Sequence, residues 1–403
     1  FLIVALAMDG DEEPSEMRGA ARWLLLGCGL AGLGAWTFLR STCPVPPLSS
    51  TVFTQGTRYA GDAAGIAACV EGFRSTDEEF DSDSLLDQRQ TPGVRILELP
   101  PGTVGIPGWH RDGPRGVSDW VEPELFVDTG RRILFLHGGG YRYYSPQDVY
   151  RTLTTRVAAA TALPVLAVDY RLAPEHPFPA AVDDAVTALC WLAGNTAHGR
   201  SEAAEVVLLG DSAGGGLVYA LLVKLTMIAQ ADVKDSRITS SAAAALLAKV
   251  TKTAAMSPWT DISCTGPSYE ANVWKSASRT GDPIFSTGNL AEDNELFKED
   301  PRDYLGDAYP GELKNPLASP MFAPTAILKQ MPPTLIVAGT AEVMLSDSTV
   351  FTERLREAGA EATCVVYDKM WHVFPMFSEG CGSGTPIQAA SDAYQAVTDF
   401  LKS

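Results

Sequence analysis

A serine framed by glycines stands directly behind an apolar run. Val206-Val207-Leu208-Leu209 leads into Gly210-Asp211-Ser212-Ala213-Gly214-Gly215. About seventy residues earlier, Ile133-Leu134-Phe135-Leu136 leads in the same way into His137-Gly138-Gly139-Gly140. Each pair reads as a strand emptying into a tight, glycine-dependent turn. At the second turn the geometry lifts the Ser212 hydroxyl above the edge of a sheet, as a nucleophile requires. At the first, bare backbone N–H groups can approach a ligand without a side chain in the way.

Composition narrows the field. The 403 residues are 46% hydrophobic, enough to bury one large core. The formal net charge of −18 argues against a nucleic-acid partner, whose phosphates call for basic patches. The seven cysteines (Cys28, Cys43, Cys69, Cys190, Cys264, Cys364 and Cys381) are dispersed and include no Cys-x-x-Cys. With five histidines there is no metal-ligand spacing. The set reads mostly as reduced thiols, with a disulfide or two open to a lumenal or secreted domain.

Residues 1–50 form an apolar segment and linker. Trp23 to Leu39 carries no charge and is bounded by Arg22 and Arg40. This length is at the lower edge of a membrane span, and Gly27, Ala31 and Ala35 place small residues on one helical face. It reads as a single membrane anchor; a signal-like segment or a docked helix are the alternatives. Arginine at both ends leaves the orientation open. Phe1 opens the chain without an initiator Met, which leaves the native start open. Cys43-Pro44-Val45-Pro46-Pro47 then breaks any helix.

Residues 51–403 read as the main domain. Residues 51–90 look helical, Pro92 to Leu99 strand-like, and Pro101 to Asp119 turn-rich. Beyond Arg131, expected strands at Ile133–Leu136, Val165–Val168, Val206–Leu209, Ala254–Met256, Thr334–Ala338 and Thr363–Tyr367 alternate with expected helices. These helices include Tyr150–Thr161, Ala180–Ala193, Gly216–Ala229 and Ser348–Ala358. Such alternation predicts a mostly parallel sheet covered on both faces. Residues 260–322 interrupt it and read as an insertion over the carboxyl edge of the sheet. Ser240 to Ala245 is a mild low-complexity patch, read as helix or loop surface.

Ser212 needs a base. Both glycine strings resemble those of α/β-hydrolases, whose triads run in chain order Ser, acid, His. That order leaves His372, since no other histidine follows Ser212. The acid should sit in the loop after Thr334–Ala338, where Glu342 is nearer the strand exit and Asp347 is the alternative. Asp368 lies too close to His372 along the chain. Gly139, Gly140 and Ala213 are the candidate oxyanion donors; which of the glycines donate is left open.

The chain further resembles the hormone-sensitive lipase family of α/β-hydrolases, with its carboxylesterases and arylacetamide deacetylase-like members. The resemblance rests on His137-Gly138-Gly139-Gly140-Tyr141, on Val168-Asp169-Tyr170-Arg171-Leu172-Ala173-Pro174-Glu175-His176-Pro177-Phe178-Pro179-Ala180, and on Gly210 to Gly215. It also includes Glu342 to Asp347 and Trp371-His372-Val373-Phe374. It implies the α/β-hydrolase fold with a helical cap drawn from residues 51–90 and 260–322. It implies hydrolysis of a small-molecule ester, usually with a short acyl chain, without a cofactor. Glu342 falls on the family's acid position, and Tyr170 to Ala180 becomes a buttress beside the site. An amidase or deacetylase on the same triad is the rival reading, and a non-catalytic binding protein a further one that the presence of His372 opposes. Trp109, Trp259, Trp274 and Trp371 could line an acyl pocket or belong to the core.

Overall fold

Short apolar runs rich in β-branched residues build the sheet. The computed structural model describes residues 52–55, 62–75, 91–105, 116–273, 280–285, 300–381 and 385–403. All lie in the unit Thr51–Ser403. The expected anchor at Trp23–Leu39 lies outside them.

Nine strands form one sheet: β1 (Val52–Gln55), β2 (Val94–Leu99), β3 (Ser118–Pro123), β4 (Arg131–Leu136), β5 (Val165–Val168), β6 (Glu205–Asp211), β7 (Val250–Met256), β8 (Thr334–Gly339) and β9 (Ala362–Tyr367). Their spatial order is β1-β9-β8-β7-β6-β4-β5-β3-β2. All pairings are parallel except β2 with β3 and β3 with β5. The fold is that of an α/β-hydrolase.

Alternation along each strand feeds two cores. Leu134, Leu136, Leu166, Val168 and Leu208 face one side, while Ile133, Phe135, Val165, Ala167, Val207 and Leu209 face the other. Strands buried on both faces must be apolar at nearly every position, which is why they were visible as runs. Helices α3 (Ala180–Gly194), α4 (Ser212–Ala229), α5 (Ser240–Lys249) and α6 (Leu345–Glu357) cover the first core. Helices α1 (Ala63–Ser75), α2 (Tyr150–Thr161) and α7 (Gln388–Lys402) cover the second. Among the described residues α4 is the one helix long and apolar enough to span a membrane. It is apolar all round because it is buried all round.

Two expectations need correction. Residues 52–55 are a strand, not helix, and pair in parallel with Cys364–Tyr367. Ser118 and Asp119 open β3, inside what read as turns. Their charged neighbours misled the reading: Asp119 and Glu122 are fully buried but paired, Asp119 with Arg151 (2.8 Å) and Glu122 with Trp120 Nε1 (2.6 Å), Arg95 and His198.

The cysteines also sort themselves. Cys69 of α1 is bonded to Cys381, across 312 residues of sequence, while Cys190, Cys264 and Cys364 are thiols. Asp62 strengthens the same junction: its carboxylate accepts the Gln388 and Ala389 amides (3.0 and 2.8 Å) at the start of α7.

Buried carboxyls give the fold a pH signature. Burial pushes Asp211 and Asp282 up to about 7 and Asp347 to about 8, against an ordinary 3.8. Between pH about 4 and its folded pKa, and only there, each holds a proton that the unfolded chain has lost, so its contribution to stability falls as pH rises through that window. His137 and His372, driven down by burial to about 4 and about 3, act oppositely, but only up to the unfolded value of 6.5. Above that the buried carboxyls, with Glu342 raised in the same direction, set the slope. The thermal midpoint should drop between pH 6.5 and 8.5 in a scan at constant ionic strength, and Asp347→Asn should flatten the slope. A level or rising midpoint contradicts this.

Candidate active site

Each candidate residue lies at the carboxyl end of a parallel strand, where open α/β sheets place their ligands. His137 to Gly140 follow β4, Ser212 follows β6 at the start of α4, Ser257 follows β7, Glu342 follows β8 and His372 follows β9.

Ser212 sits on a strained turn, with φ of 51°. The turn closes because Gly214 has no side chain: a Cβ there would lie 2.1 Å from the Leu136 carbonyl oxygen. The Ser212 Oγ is 2.8 Å from His372 Nε2. Burial alone lowers His372 to about 3, so its imidazole is neutral at ordinary pH. With Nε2 facing the hydroxyl as acceptor, the ring proton belongs on Nδ1.

Glu342 is fully buried. Its Oε2 accepts from Ser257 Oγ (2.6 Å) and from the Gly339 amide (3.1 Å). Ser257 Oγ in turn accepts the Val373 amide (3.0 Å), so one hydroxyl ties the Glu342 side chain to the residue after His372. Burial pushes the Glu342 carboxyl well up; the Ser257 hydroxyl and Gly339 amide pull it back, and Asp282 adds repulsion. Glu342 Oε1 and His372 Nδ1 are both buried with no hydrogen bond. Asp347 is engaged elsewhere: its Oδ2 accepts the Thr260 and Asp261 amides, each at 2.7 Å.

The glycine loop has a division of labour. The Gly138 amide donates to Asp211 Oδ1 (3.0 Å), whose Oδ2 accepts from the Tyr150 hydroxyl (3.0 Å). Among the described residues no acceptor takes the amides of Gly139 or Gly140. Gly139 has φ of 102°, and a Cβ on it would lie 2.3 Å from the Tyr143 carbonyl oxygen, so no other residue fits. From below, Tyr170 donates to the His137 carbonyl (2.6 Å) and stacks on the His137 ring at 4.2 Å. The Ala173 amide donates to the Tyr141 carbonyl (2.9 Å), and Arg171 pairs with buried Asp184.

Over Ser212 and His372 opens a cavity of about 400 Å³. Val149, Ile284, Phe285, Met344, Met376 and Phe377 give it apolar walls, and Phe285 leans on the His372 ring at 4.9 Å. Trp259 lines it; Trp371 lies in the core, and Trp109 and Trp274 fall outside the described residues. Sequence reasoning missed Ser257 and Asp282, and gave Asp211 no role. Asp211 stood in plain view inside the serine string. Ser257 could have been sought at the end of β7.

Comparison with known proteins agrees with this architecture. Residues 133–376 match a family model described as alpha/beta hydrolase fold. An acetyl-hydrolase of Streptomyces hygroscopicus is 33% identical over 289 residues, covering 70% of this chain and 80% of the relative. An esterase of Acinetobacter venetianus is 29% identical over 246 residues, 61% of this chain and 68% of its own. Among solved structures, an esterase from the bacterial hormone-sensitive lipase family is 28% identical with a TM-score of 0.62, covering 84% of this chain and 97% of that one. The esterase EstE5, soaked with p-nitrophenyl butyrate, gives 26% and 0.61, covering 84% of this chain and 97% of its own. The chain belongs to the α/β-hydrolase family, beside the hormone-sensitive-lipase esterases.

Proposed function

We propose that this protein is a carboxylic ester hydrolase that cleaves small neutral esters with short acyl chains through an acyl-enzyme. The observation that carries the reading is the Ser212 Oγ, 2.8 Å from a neutral His372 Nε2, at the floor of an apolar cavity. Ser212 attacks the ester carbonyl carbon while its proton passes to Nε2. Glu342 faces the imidazolium that results; that new positive charge favours the ionised carboxylate against the burial that raises it. The oxyanion is held by the amides of Gly139, Gly140 and Ala213. Gly138 is not among them, because its amide is already bound to Asp211. Each such donor is worth about 3 kcal/mol in the transition state. His372 then protonates the departing alcohol, and water, activated by the same imidazole, releases the acid.

The cavity supports the choice of substrate. Its volume of about 400 Å³ is near the small end of the range of about 300–1,000 Å³ for small-molecule sites. Its apolar walls favour an uncharged acyl group, and Asp300, on the wall beside Gly140, is already paired with Arg142 (2.6 Å). With p-nitrophenyl esters of rising chain length, kcat/KM should peak between acetate and hexanoate. It should fall at least about tenfold by dodecanoate, as added methylenes outgrow the pocket. A p-nitroanilide of the best acyl group should be the poorer substrate. A peak at long chains overturns the short-acyl reading, and a preferred anilide moves the protein to the amidases.

A further inference from the structure

The loop that carries Glu342 is poorly held by its own turn. The Glu342 amide reaches the Gly339 carbonyl at 3.5 Å and the Leu345 amide reaches the Glu342 carbonyl at 3.3 Å, both beyond a good N–H···O bond. Its near end is tied to the turn after β9, where the Tyr367 and Met370 carbonyls accept the Thr340 and Ala341 amides (2.9 Å each), and its far end is held from the insertion after β7. There the Asp282 amide donates to the Asn272 carbonyl (2.8 Å), and Val273 bridges to Asp282, stitching two insertion segments together. From that seam two side chains reach the acid loop. Asn272 Nδ2 donates to the carbonyls of Thr340 (3.0 Å) and Glu342 (2.8 Å). Asp282 Oδ2 accepts the Val343 amide (3.1 Å), and its Oδ1 accepts the Ile284 amide (3.2 Å). Three residues on, Phe285 of the same segment packs on the His372 ring at 4.9 Å. The match is complementary: the amide nitrogen meets only carbonyls, and the carboxylate meets only N–H groups.

A purely structural role explains this poorly. Asp282 is fully buried, is paired with no cation among the described residues, and stands near enough to Glu342 to repel it. A buried carboxylate with a like-charged neighbour is a costly way to stabilise a fold. What the segment does supply is one piece of chain touching both the residue after Glu342, through Asp282, and the His372 ring, through Phe285.

We propose that Asp282 and Asn272 are positioning residues: they clamp the Glu342 loop to the segment whose Phe285 packs on the His372 ring, and so set how the carboxylate meets Nδ1. The inference rests on the reading of Ser212, His372 and Glu342 as the triad. It makes the insertion part of the catalytic apparatus as well as a cover over the pocket.

A double-mutant cycle tests it. Asp282→Asn keeps the shape but turns an NH₂ toward backbone N–H groups. With p-nitrophenyl butyrate it should lower kcat by about 10²-fold, the cost of a small misplacement of reacting groups, while KM stays within about threefold. In a Glu342→Gln background the same substitution should cost less than about threefold, because there is no carboxylate left to position. Equal losses in both backgrounds, or a kcat loss matching only the loss of folded protein in a thermal melt, overturn the clamp. If Asp282→Asn does not fold, Asn272→Ala is read in its place, with the same pattern required. Full activity in Glu342→Gln alone overturns the triad reading and the clamp with it. A crippled Glu342→Gln with additive losses overturns only the clamp.

Discussion

Ser212→Ala is expected to lower kcat by about 10⁵ to 10⁶-fold, the largest effect of any single change in this protein. On the proposed mechanism this hydroxyl, 2.8 Å from His372 Nε2, is the group that bonds covalently to the substrate. What remains should be the smaller acceleration provided by the glycine amides and the pocket. KM and the thermal midpoint should stay near wild type. Ser212 is buried but makes no packing contact that alanine lacks, and alanine relieves none of the φ strain at this position. Steady-state kinetics on a short p-nitrophenyl ester measures this. A loss of only tenfold would mean that another nucleophile, or a directly activated water, does the chemistry.

Glu342→Gln comes next, with an expected loss of about 10⁴-fold in kcat at neutral pH. A glutamine can turn its NH₂ toward the imidazole and select the tautomer with the proton on Nε2, which cannot accept from Ser212. It also removes the negative charge facing the imidazolium. Asp347→Asn should stay within about tenfold, because the Asp347 carboxylate spends its lone pairs on Thr260 and Asp261. In the active complex, a hydrogen bond should join Glu342 Oε1 to His372 Nδ1, the two buried atoms now without partners. Should Asp347→Asn be the crippled variant, the acid has been misassigned and the loop after β8 acts one turn later.

Much of this was legible in the chain because the signals were local. The expected strand Val165–Val168 and helix Tyr150–Thr161 match β5 and α2 end to end. Doubly buried strands must be apolar, and Pro164, which disfavours helix in the residue before it, falls between the two elements. Strand β3 was illegible for the converse reason. Its Asp119 and Glu122 look like surface charges until partners elsewhere in the chain, Arg151 and Arg95, pair with them. The Cys69–Cys381 bond joins residues 312 apart and leaves no local trace. At the site, Ser212 and His372 could be read from strings and order. The bond that occupies the Gly138 amide could not, since it depends on Asp211 reaching back across 73 residues. Asn272 and Asp282 were beyond reach for the same reason: isolated residues in an irregular insertion acquire meaning only from the backbone they face.

The central claim is that Ser212 becomes acylated. Its most direct measurement is the mass of the protein after brief treatment with a fluorophosphonate, followed by peptide mapping. One adduct per chain is expected, on the peptide containing Ser212, with labelling abolished in Ser212→Ala and slowed in His372→Ala. An adduct on another residue, or labelling that survives Ser212→Ala at the wild-type rate, would contradict it.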